Sequence, residues 1–260
     1  MLWKFDEFAV LLVLLAGFLV AIEVGFRLGV HRRDLGDESD KTHLGSLQAA
    51  VLGLLALLLG FTFFMAASRF EARKAFVLDE ANAIGTTFLR SKFLPSEQRN
   101  AAQRLLREYV SARLSFYAAG IDPDRLGKAN TEAARIERQL WALAVEAAAQ
   151  DQRSVPVGLL IESLNDVIDI NEKRQAALDS HVPEAVLYLL VAVSLVSLVL
   201  MGYGCGLTRR RQLGLNALFA LLIVLVFTTI LDMDRPRRGL IKVSQESLVR
   251  LQAMLDRNAR

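Results

Sequence analysis

Residues 44–74 read LGSLQAAVLGLLALLLGFTFFMAASRFEARK, and this stretch decides the architecture. From Leu44 to Ser68 no side chain can ionise, and a run of that length lets an α-helix cross the ~30 Å hydrocarbon core of a bilayer. Arg69, Phe70, Glu71, Arg73 and Lys74 then arrive together. Nothing between Gly60 and Asp79 breaks a helix, and Phe70, Val77, Ala81, Ile84 and Phe88 keep helical spacing. The expectation is one rod that leaves the membrane near Ser68 and continues into water, able to line a pore and carry a soluble domain on one axis. Gly45, Gly53 and Gly60, with the interspersed alanines, would let neighbouring helices approach closely.

Leu59-Gly60-Phe61, then seven residues, then Arg69-Phe70 and Glu71-Ala72-Arg73-Lys74 resemble the second transmembrane helix of bestrophins. That family carries an LGF-type turn followed by an Arg-aromatic-aromatic signature, with one aromatic of the pair here replaced by Glu71. The chain as a whole is similar to bacterial membrane proteins described as bestrophin-like. Bestrophins are pentameric ion channels whose hydrophobic neck is lined by this helix at four-residue intervals. The resemblance therefore implies a neck face of Gly53, Leu57 and Phe61, with Phe64 and Met65 next along it. Leu57 and Phe61 suit a gate that works by dewetting, whereas Gly53 stands where the family places a bulky apolar group.

Composition requires a divided molecule. With 53% hydrophobic and 23% charged residues, the chain is too apolar for an ordinary soluble domain and too charged to lie wholly in lipid. The single cysteine, Cys205, cannot form an internal disulfide and reads as a small packing residue. The net charge of +3 is slight, and the basic residues gather at membrane edges: Arg32-Arg33, Arg209-Arg210-Arg211 and Arg235-Pro236-Arg237-Arg238. They read as topology anchors and lipid headgroup contacts, not a nucleic-acid surface. The first apolar segment, preceded by Lys4, Asp6 and Glu7, reads as a retained anchor, not a signal peptide.

Helix one is expected over about 8–30. It contains Glu23, whose neighbour Arg27 one turn on makes a structural ion pair the simplest reading. A short polar link spans His31 to His43, and helix two follows as above. The polar insertion over 69–182 shows helical period throughout. Pro95 opens a helix with a stripe of Leu105, Leu106, Tyr109, Val110, Phe116 and Tyr117, closed by Gly120-Ile121-Asp122-Pro123. Ile136, Leu140, Leu143, Ala144 and Ala147 mark another, and Pro156 begins a third with Leu160, Leu164, Val167 and Ile168 inward. Helix three is expected over about 183–207 and helix four over about 213–231. A tail follows, with an amphipathic segment from Ser244 to Leu255.

The fold class read from the sequence is thus all-α. Transmembrane helices one and two occupy 1–68, a helical-bundle cytoplasmic domain 69–182, transmembrane helices three and four 183–232, and a cytoplasmic C-terminal tail 233–260. Four spans put both termini and the insertion on one side. The cations near the membrane on that side (Lys4, Arg69, Arg73, Lys74, Lys173, Arg174, Arg235, Arg237, Arg238, Lys242) outnumber those on the other (Arg32, Arg33, Lys41, Arg209, Arg210, Arg211). The bias favours a cytoplasmic side, and the resemblance to bacterial bestrophin-like proteins implies the inner membrane of a bacterium.

Three further motifs have a sharp and a bland reading. Gly202-Tyr203-Gly204 resembles a potassium filter in letters only, since an unbroken apolar helix leads into it, and close helix packing explains it better. Asp232 and Asp234, beside Arg235-Pro236-Arg237-Arg238, could ligate a cation or pair with Arg69 or Arg73. Pairing is favoured, because neither EF-hand spacing nor an acidic run like the calcium clasp of animal bestrophins is present. Thr228-Thr229 resemble a feature of ion-driven energiser subunits, although threonines in a span usually bond back to their own helix.

No GxSxG, HExxH, Walker loop or dinucleotide fingerprint occurs, and His31, His43 and His181 stand apart. The expectation is no enzyme, no cofactor and no metal. The sequence reading is a homo-oligomeric channel, with five copies implied by the resemblance, for small inorganic monovalent ions. Its neck would be Gly53, Leu57, Phe61, Phe64 and Met65, and its inner-mouth charges Arg69, Glu71, Arg73, Lys74, Asp232 and Asp234. The rivals are a non-conducting sensor or scaffold and an energiser-type subunit.

Overall fold

A computed structural model describes residues 7–32, 38–237 and 239–258. Of the residues named above, Lys4, Asp6, Arg33 and Arg238 lie outside this set. The described chain is helical: α1 (Glu7–Arg32), α2 (Glu38–Arg90), a 3-10 turn (Ser91–Phe93), α3 (Ser96–Ala118), α4 (Pro123–Gln150), α5 (Val155–Asp179), α6 (Glu184–Leu207), α7 (Leu213–Asp234) and α8 (Glu246–Arg257). No strand occurs among the described residues.

Helix ends fall where the local chemistry puts them. Gly120 adopts a left-handed φ of 59° after α3, a conformation that costs a side-chain-bearing residue energy. Asp122 then caps α4, its carboxylate accepting from the amides of Asp124 and Arg125 at 3.0 and 3.2 Å, with Pro123 in the first turn where its missing N–H costs nothing. Pro183 stands one position earlier, at the N-cap of α6. α2 continues through the charged junction because Arg69-Phe70-Glu71-Ala72-Arg73-Lys74 contains no breaker.

The contacts divide the chain into two compact units. The first comprises Met1–Arg69 and His181–Arg235 and holds α1, the first part of α2, α6 and α7. The described chain has four helices long and apolar enough to cross a membrane. In lipid, apolar burial does not drive helices together, so close packing must. The sequence supplies it with two glycine pairs one turn apart. A Cβ built on Gly25 would stand 2.0 Å from the Val199 carbonyl oxygen and one on Gly29 2.2 Å from that of Tyr203. From the other side, Gly202 and Gly206 meet the carbonyls of Ile22 and Phe26 at 2.1 and 2.3 Å. α1 and α6 are in backbone contact along this seam, and Phe18, Ile22, Leu187, Leu198, Val224 and Phe227 form the adjoining core.

The second unit comprises Phe70–Ser180 and Pro236–Arg260. Its core draws Ile84 and Phe88 from α2, Leu106 and Tyr109 from α3, Ile136 from α4, Val167 from α5, and Leu248 and Leu255 from α8. The C-terminal segment therefore belongs to this bundle. Its amphipathic pattern is filled by burial in the chain itself, each such leucine worth roughly 1.5–3 kcal/mol.

Candidate functional site

Between Leu44 and Ser68, α2 buries only Leu55, Thr62 and Ala66. At 3.6 residues per turn these lie within about 40° of one another. Gly53, Leu57, Phe61 and Phe64 occupy an arc of about 80° on the opposite face, and all four are exposed, with Phe61 at 62% and Phe64 at 71%. Met65 lies at the edge of that arc, half-buried and packed against the core. Thr62 donates to its own helix at Leu58, 2.7 Å, so the buried stripe hides its one hydroxyl. From Gly53 to Phe64 this arc of α2 is apolar, made of two phenylalanines, a leucine and a glycine. Gln48 ties the upper part of α2 to the α6 backbone by donating to the Leu200 carbonyl, a link for which the apolar pattern of this helix carries no signal.

The charges beyond the span separate into different roles. Arg69 is half-buried and donates to the Met65 carbonyl at 3.4 Å. Glu71 and Lys74 are exposed and face each other at 3.6 Å, a pair worth at most ~1 kcal/mol in water. Arg73 is buried: its Nε donates to the Ala177 carbonyl at 2.9 Å and its Nη2 to that of Ser180 at 2.7 Å. It thus caps the C-terminal end of α5, where free carbonyls and the helix dipole favour a cation.

At the end of α7, Asp232 and Asp234 are both buried. Asp234 accepts the Val182 amide through both oxygens, at 3.0 and 3.2 Å, and lies 3.1 Å from His181 Nδ1. Asp234 thus ties the end of α7 to the chain that enters α6. His181, isolated in the sequence, belongs to that contact.

Gly202-Tyr203-Gly204 sits inside α6, and Gly202 serves the α1 seam. Thr228 and Thr229 donate back to Val224 and Leu225. Glu23 pairs with Arg27 at 2.8 Å and Arg211 at 3.4 Å, the structural role expected of it.

One constellation in the second unit does not stand out in the sequence. Glu80 is wholly buried, with Arg113 Nε at 2.7 Å from Oε1 and the Arg174 guanidinium on Oε2. Arg174 stacks over Tyr117 at 4.4 Å, and Arg113 and Arg237 over Phe116 at 5.3 and 4.4 Å. Its one local signal is that Glu80 interrupts the apolar stripe of Val77, Ala81 and Ile84, and a carboxylate on a buried stripe needs a cationic partner. Among the described residues no group of three His, Cys, Asp or Glu side chains is disposed to hold a metal.

A family model described as a Bestrophin-like domain matches residues 13–248. The chain belongs to the bestrophin-like family. This bestrophin-like membrane protein is similar in fold to a crystal structure of a bacterial bestrophin homologue from Klebsiella pneumoniae, with a TM-score of 0.64, 15% identity and 97% of each chain covered. A point variant of that homologue gives a TM-score of 0.68 at 13% identity, covering 98% of this chain and 100% of the other. A structure described as a membrane protein variant gives 0.65 at 15%, with 97% of each covered. At such identities the likeness establishes the all-α bestrophin fold. No curated protein matches the chain.

Proposed function

We propose that this bestrophin-like protein is the subunit of a homo-oligomeric ion channel, five copies around an axis, in which α2 lines the pore. The observation that carries the reading is the open apolar arc of α2: Gly53, Leu57, Phe61 and Phe64 stand free of the chain's own packing, opposite the narrow stripe that anchors the helix. One helix per subunit cannot enclose a pore, so the reading requires copies. Leu57 and Phe61 form the neck, which passes small monovalent ions when wetted and stops them when dry; Phe64 and Met65 flank it, and Gly53 leaves its outer end wide. Glu71 and Lys74 are the exposed charges just past the span and contribute to the inner mouth, together with Arg69. The termini, the second unit and the α7 end face the cytoplasm of a bacterial cell, following the cation bias, and lipid surrounds the remaining apolar surface.

Thr228 and Thr229 spend their hydroxyls on their own helix, which weighs against an energiser-type subunit. The test is ion flux from liposomes holding the purified oligomer, wild type beside Leu57→Ala/Phe61→Ala. Widening the neck should raise flux or abolish its gating. An intact oligomer without flux in either form would move the assignment to a membrane sensor or scaffold.

A further inference from the structure

The membrane part of α2 leaves about half of its circumference open, and the open half carries a pattern. Ser46, Gly53, Gly60 and Ala67 recur every seven residues, and Leu47, Leu54 and Phe61 directly follow the first three. On a helix this repeat draws two rows along one side, a row of small residues and a row of large ones ~100° away. The large row is exposed in the chain, at 51, 48 and 62%. The small row is open at its glycines: a Cβ on Gly53 or Gly60 meets nothing within 4 Å, whereas one on Gly25, Gly29, Gly202 or Gly206 meets the backbone of the facing helix. The described chain puts none of its own atoms into the gaps at Gly53 and Gly60.

Gly60 also lies at the edge of an apolar cavity of about 540 Å³ between α2 and α7, with Ala56 and Phe63 on one side and Leu225, Val226 and Thr229 on the other. Its lining, among the described residues, carries no ionisable side chain, and Thr229 donates its hydroxyl to the Leu225 carbonyl of its own helix at 2.8 Å. Such a space suits an apolar occupant. A second copy of the chain supplies one. Copies related by rotation about the membrane normal keep each residue at its own depth, so Gly60 of one copy stands level with Phe61 of the next, and Gly53 with Leu54. In a closed ring, the two neighbours of any helix are seen about 90° apart for four copies, about 108° for five and about 120° for six. Two rows ~100° apart therefore point at both neighbours in a ring of about four or five. Leu57 and Phe64, midway between the rows, then point at the axis.

We infer that neighbouring copies interlock along α2, the large row of one copy packing onto the small row of the next, with Leu54 on Gly53 and Phe61 on Gly60 at the mouth of the α2–α7 cavity. Two different faces meet, so the contact is head-to-tail and is completed only by closing a ring. Glycines at the contact let the backbones approach closely, which is what holds helices together in lipid. Phe61 stands at the corner, one edge on the seam and the other on the pore. The inference rests on the proposed arrangement of α2 around an axis and names the surfaces that hold it.

The deciding experiment is oxidative cross-linking of the full-length protein in bilayers, in a Cys205→Ser background. Gly53→Cys and Leu54→Cys, each alone, should run as monomers on a denaturing gel, because neither row meets itself. The double variant should give a covalent ladder that ends at the ring number. In parallel, Gly60→Leu should convert the oligomer to monomer by native mass spectrometry without unfolding the chain, since the chain itself leaves that gap open. Gly17→Leu, equally free of contact within the chain, should remain oligomeric. Should the double cysteine variant fail to assemble, the Gly60→Leu comparison still decides the question. An assembled double variant without a ladder, cross-linking of either single variant, or an oligomer indifferent to Gly60→Leu would overturn the inference. A ladder without ion flux would uphold the seam and remove the channel; flux without a ladder would uphold the channel and remove the seam.

Discussion

Gly202→Ala places a methyl group where the Ile22 carbonyl oxygen is 2.1 Å away, and ordinary contact requires about 3.4 Å. Neither side can yield locally, because the atoms that meet are backbone in both helices. α1 and α6 must therefore part by about 1.3 Å, and since a gap of ~0.5–1 Å already forfeits a quarter to a half of each dispersion contact, this one forfeits about half or more. If some forty contacts of ~0.15 kcal/mol along the seam lose half of their energy, the cost is roughly 3 kcal/mol. That lies at the upper end of the ~1–3 kcal/mol range of overpacked cores. The better helix propensity of alanine returns up to ~1 kcal/mol, leaving a net loss of about 2–3 kcal/mol. The assay is reversible unfolding in mixed detergent, with Gly17→Ala as the matched control, since a Cβ there meets nothing within 4 Å. Gly17→Ala should be neutral or slightly stabilising. A Gly202→Ala protein as stable as wild type would refute the backbone contact between α1 and α6.

Two further outcomes follow from the second unit. Glu80→Gln leaves Arg113 and Arg174 buried without their shared anion, and removing one partner of a buried pair costs about 3–5 kcal/mol; thermal unfolding of the variant should show it, and an unchanged midpoint would contradict the burial. Glu137 has its pKa raised, chiefly by burial. A carboxyl whose folded value lies above its unfolded value stabilises the fold fully below the unfolded pKa and loses that contribution as pH rises through the folded one. Glu137→Gln, which keeps the acceptor for Tyr109 and Asn171, should flatten this decline above about pH 4.5 and be no less stable than wild type at pH 7. Parallel pH-stability curves for the two proteins would contradict it.

What the sequence makes legible is what periodicity encodes. The unbroken α2, the inward stripes of α3 and α5, and the proline and glycine punctuation around α4 each rest on one local signal. The partner of each element is harder to read, because it depends on atoms far apart in the chain. Gly202 and Gly206 are visible as packing residues, but the seam exists only because Gly25 and Gly29 carry the matching gap on α1. α8 reads as an amphipathic tail, and nothing local says that Leu248, Leu251 and Leu255 fill the core beside α2, α3 and α5. At the candidate site, the face from Gly53 to Phe64 is implied by the resemblance to bestrophins, because an apolar span does not by itself say which of its faces is left open. Arg73 shows the limit: it stands in a run of charges typical of a solvated face, yet the C-terminal end of α5, more than a hundred positions away, takes it inside.

The channel assignment depends on which face of α2 meets water. The direct measurement places a single cysteine at Phe61 or at Thr62, each in a Cys205→Ser background, and follows ion flux while a charged, membrane-impermeant thiol reagent is added. Phe61 is 62% exposed in the chain and Thr62 only 2%. With the Phe61 face on the pore, Phe61→Cys should be modified and its flux should fall sharply, while Thr62→Cys is unaffected. Full modification of Phe61→Cys without any change in flux, or block at Thr62→Cys alone, would contradict a pore lined by this face.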